Sequence, residues 1–275
     1  MGALAERAGL HRTYIGLLER GERQPTVVAA SSIAEALGLD LSKLLQEAEL
    51  SADSKVSGKG RNVNGFARLL VRRANRGALG SDTELRRLTG LTGETIALAI
   101  DDTYRTLDLL DHQLLSNGVL PFSELVELAN LSSMLGNIVG GAIVNHSNGL
   151  YERSGPHKYQ DLRSLSGSGH VEIKTALESN KPKGHLSKAG IYLTIRYVLA
   201  DRDAGYMRGA RGDVCAIWEV RVGHLTEDDF SESNTPGDSG KTAVVKTEIL
   251  RSMERVYFDP LFFPYARLDG PWGLT

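Results

Sequence analysis

The sequence predicts an α+β protein: a small all-helical module, a linker, a second helical region, then a mixed, strand-rich core. Apolar residues recur three and four apart from the amino terminus to about His146, the period of a helix face. Residues 51–63, SADSKVSGKGRNV, interrupt that pattern with a Ser/Gly/Lys-rich stretch nearly empty of apolar side chains. After Asn148 the period changes to two, in short segments rich in β-branched and aromatic residues. The expected boundaries are a helical module at 1–50, a linker at 51–63, a helical region at 64–148 and the strand-rich core at 149–275. At 275 residues the chain has the length of two ordinary domains.

The first module reads as short helices. Ala3–Ala8 is amphipathic and ends at Gly9, and His11–Arg20 is closed by Gly21. Pro25 opens the next element with Thr26 as its cap, and Ala30, Ile33, Ala34 and Leu37 keep helical spacing up to Gly38. Leu41–Ala48 is a last short helix. In the second region Val71, Leu88, Leu91, Ile96, Leu98, Ile100, Leu107, Leu110, Leu114, Leu115, Leu125, Leu128, Leu131, Leu135 and Ile138 carry the periodicity. Gly80, Gly90, Gly93 and the pair Asn117–Gly118 punctuate it. Three glycines within Gly136–Gly141 imply a helix packed closely against another backbone. Strands are expected at Tyr159–Leu162, His170–Ala176, Ile191–Leu199, Val214–Val222 and Thr242–Leu250. The aromatic run Phe258–Tyr265, with Trp272, either packs onto this core or forms a dimer surface.

The net charge of −2 hides a strong segregation. Residues 51–80 hold seven basic side chains against Asp53 alone, and residues 151–200 hold eight against four carboxylates. Residues 81–118 are acidic, with seven carboxylates against Arg86, Arg87 and Arg105. Phosphates respond to local basic zones within a Debye length, so a polyanion such as DNA is compatible with this chain. Each zone is equally well a solvated helix face. The single cysteine, Cys215, excludes an internal disulfide and a thiolate zinc cluster, and fits a reducing cytoplasm. No apolar run approaches the length of a membrane span.

One constellation has chemical content. In a strand, residues two apart share a face, so Glu172 and Lys174 project together while Val171, Ile173 and Thr175 face the core. Upstream, His157–Leu162 reads as a short strand ending in a carboxylate, Asp161, and SLSGSG at 164–169 makes the hairpin connection. Two carboxylates and an ammonium suit a hard divalent cation and phosphodiester hydrolysis. They equally make a surface ion pair with a nearby acid. Glu152 is a candidate auxiliary carboxylate, and Lys181 and Lys183 are candidate DNA contacts. Glu124, Glu127 and the histidines at 146, 157, 170 and 185 are weaker candidates. No His-Glu-x-x-His occurs, which excludes a zinc peptidase of that type.

LAERAGLHRTYIGLLERGERQP resembles the core signature of the Cro/C1-like (XRE) DNA-binding family. The resemblance makes Leu4, Ala5 and Ala8 a scaffold helix, Gly9 the turn, and His11–Arg20 the recognition helix with Ile15 and Leu18 inward. It places Arg12 and Thr13 where side chains reach base edges of the major groove, with Leu17 as a third, apolar contact. That family has a helix before the one beginning at Leu4, so its first helix is expected to be missing. Such a module either binds DNA or only packs and dimerises.

Asp161, a ten-residue gap and Glu172-Ile173-Lys174 resemble the PD-(D/E)xK nuclease family, to which many restriction endonucleases belong. By that resemblance the core is a restriction-endonuclease-like mixed sheet. Asp161 and Glu172 hold Mg2+ and Lys174 orients or deprotonates the attacking water. The family's proline before the first carboxylate is Gln160 here. The expectation is a Mg2+-dependent endonuclease of double-stranded DNA, of type II restriction kind. It would act as a homodimer, with a cognate DNA methyltransferase in the same system. The alternative is a DNA-binding transcriptional regulator whose second domain senses a ligand or dimerises without catalysis.

Overall fold

The computed structural model describes residues 2–19, 27–41, 72–155, 160–184, 187–201, 205–233, 242–270 and 272–273. The expected linker at 51–63, the closing Gly21 and most of the last short helix of the first module lie outside the described residues. The chain divides into two compact units, residues 1–72 with the short stretch 115–118, and residues 73–114 with 119–275.

In the first unit, helices α1 (Gly2–Arg7), α2 (Arg12–Glu19) and α3 (Val27–Leu37) are described. Gly9 takes φ 63°, and the Leu10 amide donates to Ala5 O at 2.9 Å, so the chain leaves α1 through a left-handed residue. Ala5, Ala8, Ile15, Ala29, Ala30 and Ala34 are buried between the three helices. Leu18 is half-buried, as an inward residue near the rim would be. Leu37, expected on the apolar face, is 46% exposed. It sits at the last position of α3, where Gly38 at φ 71° turns the chain away.

The second unit begins with helices α4 (Thr83–Thr89), α5 (Gly93–Ser116), α6 (Phe122–Leu125) and α7 (Leu128–His146). Gly90 and Gly118 end α4 and α5 in left-handed conformations, φ 73° and 75°, so the sequence punctuation holds. The apolar pattern overstates the core, however, because Leu110, Leu115, Leu125 and Leu128 are exposed. Asp101 on α5 is instead buried, taking the Ala74 amide at 2.7 Å and the Arg76 guanidinium at 2.8 Å.

Strands β1 (Tyr151–Arg153), β2 (Leu162–Ser164), β3 (Val171–Leu177), β4 (Lys183–Gly184), β5 (Gly190–Ala200), β6 (Val214–Leu225), β7 (Phe230–Ser233), β8 (Thr242–Val245) and β9 (Glu254–Phe258) follow. The main sheet runs β1-β2-β3-β5-β6-β9, antiparallel except for the parallel pair β3–β5, and a small sheet runs β4-β8-β7. The expected strand at 242–250 stops at Val245. Helix α8 (Thr247–Ser252) follows and buries Leu250, because Val245 and Leu250, both in the core, sit five residues apart and break the period of two.

Helices α5 and α7 pack on one face of the main sheet, against Val171, Ile173, Leu193, Ile195, Ile217 and Val220. The glycines of α7 permit this, but their neighbours are strand side chains rather than another backbone. A Cβ on Gly136 would meet Thr175 Cγ2 at 3.4 Å, and one on Gly140 would meet Ile173 Cδ1 at 3.1 Å and collide with the Arg153 guanidinium. The Tyr151 hydroxyl donates toward Thr89 O and Gly169 O, both at 3.0 Å, tying α4 to the β2–β3 hairpin.

Burial raises the Tyr151 and Tyr197 phenols to about 12, from an ordinary value of 10.0. Below pH ~10 both states keep these protons and stability is unaffected. Between ~10 and ~12 only the unfolded chain releases them, so stability falls as pH rises through that window. Unfolding midpoints measured from pH ~9 to ~12 are expected to drop there, and less steeply in a Tyr151→Phe variant.

The opposite face carries charge. A bulge pairs Arg196 with Glu219 and Tyr197 with Ile217, leaving Trp218 as the extra residue beside Glu219. Arg196 Nε donates to Glu219 Oε2 at 2.6 Å, and Arg221 Nε lies 2.8 Å from Glu219 Oε1. The Arg196 guanidinium is sandwiched between Trp218 and Trp272, 4.1 and 4.4 Å from their ring centroids. Phe258, Phe263 and Tyr265 pack edge-on around Trp218, so the aromatic run folds onto this core. Cys215 is a buried core residue. Among the described residues, no helix is long and apolar enough to cross a membrane.

Candidate functional site

The β2–β3 hairpin brings the three predicted residues together. Leu162 pairs with Val171, so Asp161 sits one step outside β2, opposite Glu172. Asp161 precedes the strand that it was expected to end, because Gln160 at φ 71° turns the chain off the ladder. A proline, held near φ −65°, could not adopt that conformation, so the glutamine marks a different approach to the carboxylate. Asp161 Oδ2 accepts the Ile173 amide at 2.7 Å, between Glu172 and Lys174 in sequence.

Alternation along β3 sends Val171, Ile173 and Leu177 into the helix-covered core and Glu172 and Lys174 to the other face. There the Lys174 ammonium contacts Glu172 Oε1. Glu172 is 7% exposed and Lys174 half-buried, so this is no freely solvated surface pair. In the parallel register Glu172 lies beside Tyr192 and Lys174 beside Thr194, whose hydroxyl is buried. The small sheet closes over this end of the face. Tyr192 packs with Phe230 of β7 and Val245 of β8 in a second core cluster.

Among the described residues Asp161 Oδ1 and Glu172 Oε2 take no hydrogen bond, and hard carboxylate oxygens are the donors a divalent cation such as Mg2+ takes. The donor set therefore fits that ion. Among the described residues, no group of three or more His, Cys, Asp or Glu side chains forms a cation cage. Glu152 on β1 stands opposite Arg163 and is ion-paired with it. Glu124 and Glu127 are exposed.

Lys183 is exposed on β4, Lys181 is half-buried just before it, and both lie in the segment that crosses from β3 to β5. His170 Nδ1 accepts the Ser164 amide at 3.0 Å and closes the hairpin, while His146 Nε2 pairs with Asp102 at 2.8 Å. His157 and His185 lie outside the described residues. Sequence reasoning missed Gly184, next to Lys183 and directly over the Lys174 side chain. Its only signal was a glycine in a Lys-Pro-Lys-Gly run, which reads as a loop. In the first unit Arg12 is exposed at the start of α2; the side chains of Thr13 and Leu17 lie outside the described residues.

Residues 1–44 match the helix-turn-helix family. Over 42 residues the chain is 52% identical to the control protein C.SmaI of Serratia marcescens, covering 15% of this chain and 50% of that protein. The chain thus spans about half the length of the curated relative that it matches. The family match lies in the first unit and does not extend to the β2–β3 hairpin.

Proposed function

We propose that this chain is a DNA-binding protein whose second unit hydrolyses phosphodiester bonds of double-stranded DNA with Mg2+, as a restriction-type endonuclease. The observation that supports the catalytic half is the Asp161–Ile173 hydrogen bond, which locks one carboxylate beside Glu172 and Lys174. Asp161 and Glu172 would hold the ion, which when bound neutralises charge developing on the phosphate. Lys174, tethered by Glu172, orients the attacking water or, only once it has lost its own proton to solvent, takes one from it. Arg12 and Thr13 make the base contacts of the helix-turn-helix. Cutting both strands takes two such centres, hence a homodimer. A host with this activity needs a methyltransferase to protect its own sites. Incubation with plasmid and Mg2+, with an EDTA control, tests the proposal: nicked or linear product only with Mg2+ supports it, and intact plasmid at high protein concentration sinks it.

A second reading is a transcriptional regulator, with residues 73–275 as a non-catalytic ligand-sensing or dimerisation domain. The resemblance to a control protein favours it, and the comparisons speak for regulation more directly than for cleavage. Under that reading Arg12→Ala abolishes specific duplex binding and changes at Lys174 alter nothing.

The lysines of the crossover separate phosphate contact from chemistry. Lys181→Ala or Lys183→Ala is expected to weaken duplex binding and to lower its salt dependence by about one counterion each, without ending turnover. Binding isotherms at several salt concentrations measure both.

A further inference from the structure

Resting on the nuclease reading, we infer that Gly184 is a positioning residue: its missing side chain forms the slot that holds the Lys174 ammonium against Glu172. Gly184 belongs to β4, where it pairs with Ala243 of β8, so its place is fixed by the small sheet. A Cβ built on it would lie 3.0 Å from Lys174 Cε and 3.3 Å from Nζ. These atoms are the far end of a flexible side chain. An added methyl group therefore moves the ammonium and leaves the backbone where it is.

Gly184 does not have the left-handed φ seen at Gly90 or Gly118, so alanine is conformationally free to replace it. The position requires glycine because of what lies above Lys174, and not because of a turn. The small sheet thereby becomes part of the site. One of its strands carries a phosphate-contacting candidate, Lys183, and the next residue sets where the catalytic ammonium stands.

The test uses the full chain with Gly184→Ala and Gly184→Ser. Thermal midpoint, duplex affinity in EDTA, single-turnover cleavage across pH, and the 13Cε resonance of Lys174, assigned with Lys174→Ala, are compared with wild type. The expected result is a cleavage rate lower by roughly three- to ten-fold, because the ammonium must give way by only a few tenths of an ångström and a full 1 Å misplacement costs about a hundred-fold. The pH–rate profile should be displaced and the Lys174 resonance moved, with midpoint and affinity unchanged. A wild-type rate overturns the inference, and so does a rate loss with the Lys174 resonance unmoved. Wild-type protein that never cuts DNA with Mg2+ removes the underlying nuclease reading instead, and a moved resonance would then mark a slot without chemistry.

Discussion

Asp161→Ala and Glu172→Ala are expected to abolish Mg2+-dependent cleavage while the protein still binds duplex DNA. Each removes one of the two carboxylates that the β2–β3 hairpin sets side by side. Affinity can even rise, because a negative charge near phosphates is lost. The two variants differ in their structural cost. Asp161→Ala also strips the acceptor from the Ile173 amide, which costs about 1–3 kcal/mol where the donor is left buried. Asp161→Asn is the cleaner probe, since an amide oxygen still accepts that N–H without the charge. Lys174→Ala should stop cleavage yet leave Mg2+ binding in the presence of DNA. Lys174→Arg should not rescue, because a planar guanidinium neither fits a water-sized site nor gives up a proton. Plasmid cleavage assays and calorimetric titration of Mg2+ read these outcomes. Near-wild-type cutting by Lys174→Ala would make Glu172–Lys174 an ordinary ion pair and put the regulator reading first.

The second large effect is on stability. Glu219 is 1% exposed and is the carboxylate that both Arg196 and Arg221 approach, themselves 0% and 5% exposed. Glu219→Ala would leave two guanidinium groups buried without a counterion, one of them clamped between indole rings. Breaking a buried pair by removing one partner costs about 3–5 kcal/mol, a large part of a domain's net stability. Arg267→Ala, which breaks an exposed pair with Asp269, should leave stability nearly unchanged. Denaturant unfolding of both variants decides the matter; similar midpoints for the two would refute it.

The hairpin was legible because it depends on local rules. Alternation in Val171–Thr175 sends two side chains to one face, and SLSGSG can only turn. The helical region was legible as helices but not as a core. Leu110 and Leu125 have the right spacing yet are exposed, whereas Asp101 is buried by partners twenty-five or more residues away. Periodicity records what a face could bury, not what arrives to cover it. The same limit hid β4. Two residues at the end of a Lys-Pro-Lys-Gly run carry no strand signal, and only pairing with β8, some sixty residues later, gives Gly184 its place. The Arg196–Glu219–Arg221 group was equally silent. Its members come from two strands, and the bulge at Trp218 moves Glu219 onto the charged face against strict alternation.

The hydrogen bond from the Ile173 amide to Asp161 makes a single backbone proton a reporter of the site. Gln160 has left the ladder there, so a carboxylate oxygen stands where a strand carbonyl would otherwise accept. Anything that draws electron density from that carboxylate weakens its grip on the proton. Exchange of this one amide with deuterium, and its chemical shift, should therefore change when a cation reaches Asp161, with no cleavage needed to see it.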